Sequence, residues 1–144
     1  MLIVGTFGYY FAGGIIGILC VLVVPFIIFN YCIAFITYLH HTHPEIPFFD
    51  NKDDWSNTVG YMQCCTIVRM NRLLESLTHN IFIHVPHHVD MRIPFYRLKQ
   101  ASNDLEIKYR VHIHQYQFSW KQVKSIFKTC KLYDFRKQEW QTYE

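Results

Sequence analysis

Residues 1–40, MLIVGTFGYYFAGGIIGILCVLVVPFIIFNYCIAFITYLH, are the stretch that decides the fold. They are almost wholly apolar, and no Asp, Glu, Lys or Arg occurs before Glu45. A helix needs ~20 apolar residues to cross the hydrocarbon core of a bilayer. The stretch is therefore long enough for two membrane spans if a turn divides it.

Pro25 is the natural place for that turn. Proline disfavours helical geometry in the residue before it and suits the first turn of a new helix. The sequence predicts a transmembrane hairpin over residues 1–40, with helices near 3–22 and 25–40 joined at Val23-Val24-Pro25. A signal peptide is disfavoured because a cationic start and a clear cleavage site are missing. A buried helical hairpin of a soluble protein is the remaining alternative.

The distribution of charge predicts the orientation in the membrane. All 14 Lys and Arg residues lie between Lys52 and Lys137, after the apolar stretch. Because positively charged loops stay on the cytoplasmic side, the carboxy-terminal region should be cytoplasmic. A hairpin then places Met1 on the same side. The expectation is an integral, multi-pass membrane protein with both termini cytoplasmic.

Residues 41–144 are predicted to form a mostly helical cytosolic region. The chain as a whole is then an all-α membrane protein, a transmembrane hairpin followed by a cytosolic cap that carries a histidine box. The individual predictions are a helix from Trp55 to about Cys65 capped by Asp54, a helix from Pro94 to about Tyr109, a strand-like segment over Val111 to Phe118, and a helix from Trp120 to Leu132 capped by Ser119.

Composition excludes two classes of function. The net charge of +3 is small and dispersed, so no nucleic-acid partner is expected. The five cysteines are an odd number without CxxC spacing, which favours buried or inert thiols over a zinc site or a disulfide framework.

The placement of the nine histidines is the strongest functional signal. The segment His84-Val85-Pro86-His87-His88 has the pattern HxxHH, and positions i, i+3 and i+4 share one face of a helical turn. Pro86 restricts the cluster to a helix start or a turn. Neutral imidazole is a ligand for iron, zinc, copper and nickel. A second group, His41 and His43, follows the end of the predicted hairpin, where both clusters could meet above the membrane surface.

Other polar residues near the box are candidate supporting groups. His79 is either a further ligand or a residue that orients one, and Asn80 and Asp90 are candidates for fixing an imidazole tautomer. Asp90 is also consistent with a solvated loop position. His112 and His114 alternate along an extended segment and are interpreted as structural or solvated.

Three segments together resemble the acyl-lipid desaturase family, in particular its delta-12 (omega-6) type. The first is residues 38–47, YLHHTHPEIP, followed by Trp55. The second, residues 79–88, HNIFIHVPHH, resembles the third histidine box of that family, and the third, residues 89–98, VDMRIPFYRL, resembles the family's segment directly after the box. The similarity runs from about Val24 to Phe135.

The resemblance implies membrane helices with a cytosolic cap and a di-iron centre ligated almost wholly by histidine. It implies that dioxygen and two electrons are used to introduce a double bond into the acyl chain of a membrane lipid. Carried over by position, His84, His87 and His88 are iron ligands, and either His41 or His43 is another. The electron donors of such enzymes are ferredoxin or cytochrome b5.

The chain departs from the family pattern because the two earlier boxes, of the types HxxxH and HxxHH, are absent. The expectation is therefore the carboxy-terminal part of a desaturase that is inactive alone. Alternatives are a related acyl hydroxylase or conjugase, and a membrane-anchored histidine-rich metal-binding or interaction protein. A soluble zinc hydrolase that uses Glu45 or Asp90 as its base is disfavoured by the apolar start.

Overall fold

A computed structural model describes residues 1–53, 55 and 57–143. The chain divides into two compact units, Met1–Thr37 and Tyr38–Glu144.

The first unit is a short helix folded back on a long one. Helix α1 (Leu2–Phe11) is followed by a turn at Gly13 and Gly14, whose φ values of 97° and 67° favour glycine. Helix α2 (Ile15–His41) then begins. A Cβ placed on Gly17 would lie 2.0 Å from the carbonyl oxygen of Gly8, so the two backbones touch where α1 crosses the start of α2.

Helix α2 continues through Pro25, and the predicted turn at Val23-Val24-Pro25 is wrong. Proline has no N–H to donate and crowds the preceding turn. The helix accommodates it with a π-helical segment at Leu19–Val23, where the N–H of Val24 donates to the carbonyl of Leu19, five residues back. The break instead lies at the glycine pair.

Only α2, among the helices that the structure describes, is long and apolar enough to cross a membrane. Helix α1 has 10 residues and a length of about 15 Å, against a hydrocarbon core of about 30 Å. The predicted boundaries 3–22 and 25–40 are therefore wrong, and a two-span hairpin stays a prediction.

The second unit contains short helices and strands in the order α3 (Asn57–Gln63), β1 (Thr66–Arg69), α4 (Arg72–Leu77), α5 (Val85–Val89), α6 (Leu98–Tyr109), β2 (His114–Gln117), α7 (Trp120–Thr129), β3 (Leu132–Asp134) and β4 (Glu139–Gln141). Short 3-10 turns at Phe95–Arg97 and Arg110–His112 flank α6. The described part of the chain is mainly helical, as predicted, but the four short strands in it make the all-α assignment too narrow.

Two small sheets organise this unit. Strands β1 and β2 pair in parallel, with Thr66 opposite His114, and β3 and β4 form an antiparallel hairpin. An isolated bridge from Ile67 to Ile83 ties the histidine box to β1. Arg69, at the end of β1, forms an ion pair with Glu106 of α6. These connections fix the box relative to α6 and the strand pair.

The core lies beneath the histidine box. Ile67, Ile83 and Val85 are completely buried, and Met62, Cys65, Leu98 and Ile113 complete the cluster. Because Ile83 and Val85 flank His84 in the chain, burial of these two side chains fixes the backbone of the box.

The predicted helix caps have mixed outcomes. Ser119 does cap α7, accepting a hydrogen bond from the N–H of Gln122, although the helix ends at Thr129 and not at Leu132. Pro94 precedes the 3-10 turn that leads into α6. Asp54, the predicted cap of the helix at 55–65, lies outside the described residues.

Candidate metal centre

The candidate centre is formed where the carboxy-terminal end of α2 meets α5. His41 is the last residue of α2, and His84 precedes the first turn of α5. Pro86 lies in that first turn, as its geometry requires. The N–H of His88 donates to the carbonyl oxygen of His84 over 3.3 Å, which places both imidazoles on one side of the turn.

Three imidazoles converge on one point. His41, His84 and His88 each offer a ring nitrogen, and these atoms all lie within 4.8 Å of one another. The Nε2 atoms of His84 and His88 are 2.8 Å apart. The ring of His41 approaches both partners edge-on, at centroid distances of 5.2 Å and 5.1 Å.

The backbone orients one of these rings. Nδ1 of His41 lies 3.1 Å from the carbonyl oxygen of Cys64. Because that oxygen only accepts, Nδ1 is the donor, and in the neutral tautomer of the ring Nε2 then carries the lone pair. A ligating histidine is typically oriented by such a bond from its other nitrogen.

The electrostatics of the cluster favour neutral rings. Burial, together with the neighbouring imidazoles of His40 and His88, lowers the pKa of His84 to about 2. Burial and the nearby imidazoles of His41 and His87 also lower the pKa of His88. Both rings are therefore neutral at pH 7, which is the form that binds a metal.

His40 belongs to the cluster, although the sequence motifs did not identify it as a ligand. Its side chain is 1% exposed and its ring stacks on that of His84 at 4.2 Å. Its Nε2 is buried and has no hydrogen-bond partner among the described residues. An orphaned imidazole nitrogen beside three others fits a metal site. The signal in the sequence was its position directly before His41 at the helix end.

His43 lies apart from the cluster. Its Nδ1 accepts the N–H of Glu45 over 3.3 Å, and its Nε2 lies 3.1 Å from the side-chain amide of Gln122. Its ring stacks on Tyr116 at 4.9 Å. Both ring nitrogens are thus engaged by protein groups.

His87 and His79 lie on the other side of the box. His87 is exposed, and its ring is 5.6 Å from that of His84. His79 has a left-handed φ of 53° and contacts the ring of Phe95. Together with His84 these residues line a hollow of about 400 Å³ whose remaining walls are mainly apolar, formed by Thr78, Ile81, Ile83, Met91, Ile93, Phe95 and Leu98.

The two predicted supporting residues have other partners. Asn80 donates from its side-chain amide to the carbonyl oxygen of Phe95 over 3.1 Å. Asp90 accepts from the guanidinium of Arg92, and these hydrogen bonds lower the pKa of its carboxyl to about 2. Among the described contacts, neither side chain orients an imidazole.

His112 and His114 have structural partners. Nδ1 of His112 lies 2.7 Å from the amide of Gln63, and Nδ1 of His114 lies 3.4 Å from the carboxylate of Glu45. These contacts agree with the structural interpretation of both residues.

The geometry thus defines a class: a mainly helical protein with an apolar helix of membrane-spanning length and a histidine cluster at its end. Residues 1–120 match the sequence profile of the family described as fatty acid desaturase. The chain belongs to the fatty acid desaturase family.

Several relatives carry names of the delta-12 or omega-6 type. The sn-1 oleoyl-lipid 12-desaturase of Picosynechococcus sp. is 30% identical over 87% of this chain and 36% of its own length. The chloroplastic omega-6 fatty acid desaturase of Spinacia oleracea is 29% identical over 84% of this chain and 27% of its own. The Delta(12)-fatty-acid desaturase of Vernicia fordii is 36% identical over 70% of this chain and 27% of its own length. The chain spans 27% to 36% of the length of these relatives.

Proposed function

We propose that this chain is the carboxy-terminal part of a di-iron desaturase that introduces a double bond into the acyl chain of a membrane lipid. The observation that carries the proposal is the convergence of His41, His84 and His88 within 4.8 Å at the end of an apolar helix. Membership of the desaturase family and the names of the relatives support the reaction class.

The donor set fits iron. Neutral imidazoles are suitable ligands, and His40, with its unpartnered Nε2, offers a fourth nitrogen beside His84. When bound, iron supplies the dioxygen-dependent oxidation that the protein cannot perform alone. The chain's own residues hold the site in place: the Cys64 carbonyl orients His41, and the buried neighbours of His84 keep its ring neutral. His87 is proposed as a ligand from the other side of the box.

The proposal separates His41 from His43, which the sequence left as alternatives. His41→Ala should weaken binding of Co²⁺, a spectroscopic substitute for Fe²⁺, by roughly tenfold or more, because it removes a first ligand. His43→Ala is the matched control, since its ring is held by Glu45 and Gln122 and not by the cluster. Optical titration of the detergent-solubilised chain measures both affinities. Equal losses in the two variants would contradict the assignment.

Completion of the centre is proposed to need groups from the rest of a longer desaturase. The isolated 144-residue chain is expected to bind less than two irons and to leave labelled oleoyl lipid unchanged. Iron analysis and mass spectrometry of the lipid test this directly. Two bound irons with turnover would show that the chain is sufficient alone.

A membrane-anchored metal-binding protein is the second candidate, because three converging imidazoles lie within this chain alone. Metal binding without desaturation in any longer form would favour it. An acyl hydroxylase from the same family is distinguished by a hydroxylated product from the labelled lipid.

The proposed setting is the cytoplasmic side of a membrane. The Lys and Arg residues all follow α2, which supports a cytoplasmic location for residues 41–144. The proposed partners are the acyl chains of membrane lipids and an electron donor, ferredoxin or cytochrome b5.

A further inference from the structure

Helix α7 has an exposed surface that the candidate metal centre does not use. Its buried residues are Val123 and Ile126, and Cys130 directly after the helix is buried as well. Lys121, Lys124 and Lys128 lie on the exposed side. No acidic residue occurs between Glu106 and Asp134, and within the described part of the chain no carboxylate pairs with Lys124 or Lys128. The helix therefore presents unneutralised positive charge.

Two contacts place α7 beside the end of the candidate membrane helix. The ring of Phe127 stacks on that of Tyr38 at 4.8 Å, and Tyr38 belongs to the last turn of α2. On the other flank, the amide of Gln122 lies 3.1 Å from His43, which follows the end of α2. The flank of α7 that carries Phe127 is therefore the one that adjoins the last turn of α2.

That flank combines aromatic and cationic side chains. Trp120, Lys124 and Phe127 follow the spacing i, i+4 and i+7, which places them on one side of the helix. Trp120 is 66% exposed and Phe127 is 42% exposed. Tryptophan and lysine side by side suit the boundary between lipid headgroups and acyl chains, because the ring takes the apolar side and the ammonium stays with the phosphates.

An open hollow of about 540 Å³ adjoins this flank. Three ammonium-bearing side chains, two aromatic side chains and a threonine line it: Lys124, Lys128, Lys131, Phe127, Tyr143 and Thr142. Lys131 lies over the ring of Tyr143, with its ammonium 5.7 Å from the ring centroid, so a cationic and an aromatic group of the lining are neighbours. Lysine ammonium groups bind phosphate as point charges.

We propose that this face of α7 binds the phosphate headgroups of anionic lipids and holds the cytoplasmic region against the membrane surface. An acidic protein would also match the lysines, but it gives no reason for aromatic rings on the flank next to Tyr38. Each lysine close to an anionic leaflet adds to the attraction. The proposal does not depend on iron or on desaturation.

Quenching of Trp120 by brominated lipid tests the proposal. The full chain with Trp55→Phe and Trp140→Phe is reconstituted in phosphatidylcholine nanodiscs that contain a brominated minority lipid, either phosphatidylglycerol or phosphatidylcholine. We expect stronger quenching by the brominated phosphatidylglycerol. The double variant Lys124→Gln/Lys128→Gln should need more brominated phosphatidylglycerol for half-maximal quenching, by roughly tenfold.

Two matched variants make the result decisive. Lys52→Gln/Lys108→Gln removes the same charge elsewhere and should keep the preference for phosphatidylglycerol. Lys124→Arg/Lys128→Arg keeps the charge and should keep the preference as well. This variant tests the role of charge at the same two positions even if Lys124→Gln/Lys128→Gln misfolds. Equal quenching by the two lipids, or loss of the preference in either matched variant, would overturn the proposal. Absence of quenching by both lipids would overturn it in favour of a protein partner.

Discussion

Glu75 is a carboxylate almost removed from solvent within α4, with a side chain only 8% exposed. It accepts the N–H of Met70 over 3.2 Å and lies 2.7 Å from the ammonium of Lys99 on α6. Burial raises the pKa of Glu75, but the hydrogen bonds from Lys99 and Met70 outweigh it, and the net pKa lies below 4.5. The ionised Glu75 therefore contributes fully to the free energy of unfolding above about pH 4.5, and this contribution is lost as the pH falls further.

Lys99→Met should destabilise the chain by about 1–3 kcal/mol at neutral pH, because it leaves a buried carboxylate without its cation. The pKa of Glu75 then rises, so the carboxylate takes up a proton as the pH falls toward 5. The difference in unfolding free energy between Lys99→Met and the parent chain should therefore become smaller. Lys108→Met is the control, because Lys108 lies on the same helix over the ring of Tyr109 and forms no ion pair among the described contacts. Thermal unfolding in detergent across this pH range measures both. Parallel pH profiles for the parent and Lys99→Met would contradict the ion pair.

At this scale the sequence predicted part of the candidate centre. The HxxHH spacing and the histidines at the end of an apolar helix were enough to bring His41, His84 and His88 into one hypothesis. The proposed assignment of His41 rather than His43 as a ligand depends on the long-range contacts to Cys64 and Gln122, which no local spacing encodes. The burial of His40 likewise depends on residues more than forty positions away, such as Phe82 and His84.

At the scale of elements, the crossing of α1 and α2 depends on two glycines. A Cβ on Gly17 would meet the carbonyl oxygen of Gly8, so a larger residue must separate the helices. Gly5 and Leu22 are neighbours across the same crossing. In a chain whose native cysteines are replaced by serine, Gly5→Cys and Leu22→Cys should form a disulfide on mild oxidation.

Adding Gly17→Leu to that chain should abolish the crosslink. Ile16→Leu, at an adjacent position that is 69% exposed, is the control and should leave the yield unchanged. Mobility on non-reducing gels measures the yield. A crosslink that survives Gly17→Leu would show that the glycines do not set the helix spacing.

The same element shows why sequence reasoning misplaced the turn. Proline and glycine both interrupt helices, and the sequence offered Pro25 as well as the pair Gly13-Gly14. A π-helical segment absorbs the missing N–H of a single proline without ending the helix. Two successive residues with positive φ cannot be absorbed in this way. The length of the charge-free stretch predicted a membrane-spanning segment, but it did not predict the position of the turn between the helices.

At the scale of the whole molecule, the length of α2 and the position of the charges predict a topology. Helix α2 is the one described helix of spanning length, and every Lys and Arg follows it. The turn at Gly13-Gly14 and the carboxy-terminal region should therefore lie on opposite sides of the membrane, the latter in the cytoplasm. The ten residues of α1 span about 15 Å, less than the thickness of the core, and a Cβ on Gly5 would lie 3.6 Å from the side chain of Leu22, which lies well inside α2.

Labelling of single cysteines in right-side-out and inverted vesicles with a membrane-impermeant maleimide tests this topology. In a chain whose native cysteines are replaced by serine, Gly14→Cys should react only from the outside and Tyr143→Cys only from the cytoplasmic side. Leu2→Cys should be protected from both sides, because α1 packs back along α2 and its first residue then lies within the hydrocarbon core. Reaction of Leu2→Cys from the cytoplasmic side would instead establish the two-span hairpin with both termini cytoplasmic. Reaction of Gly14→Cys and Tyr143→Cys from the same side would show that α2 does not cross the membrane at all.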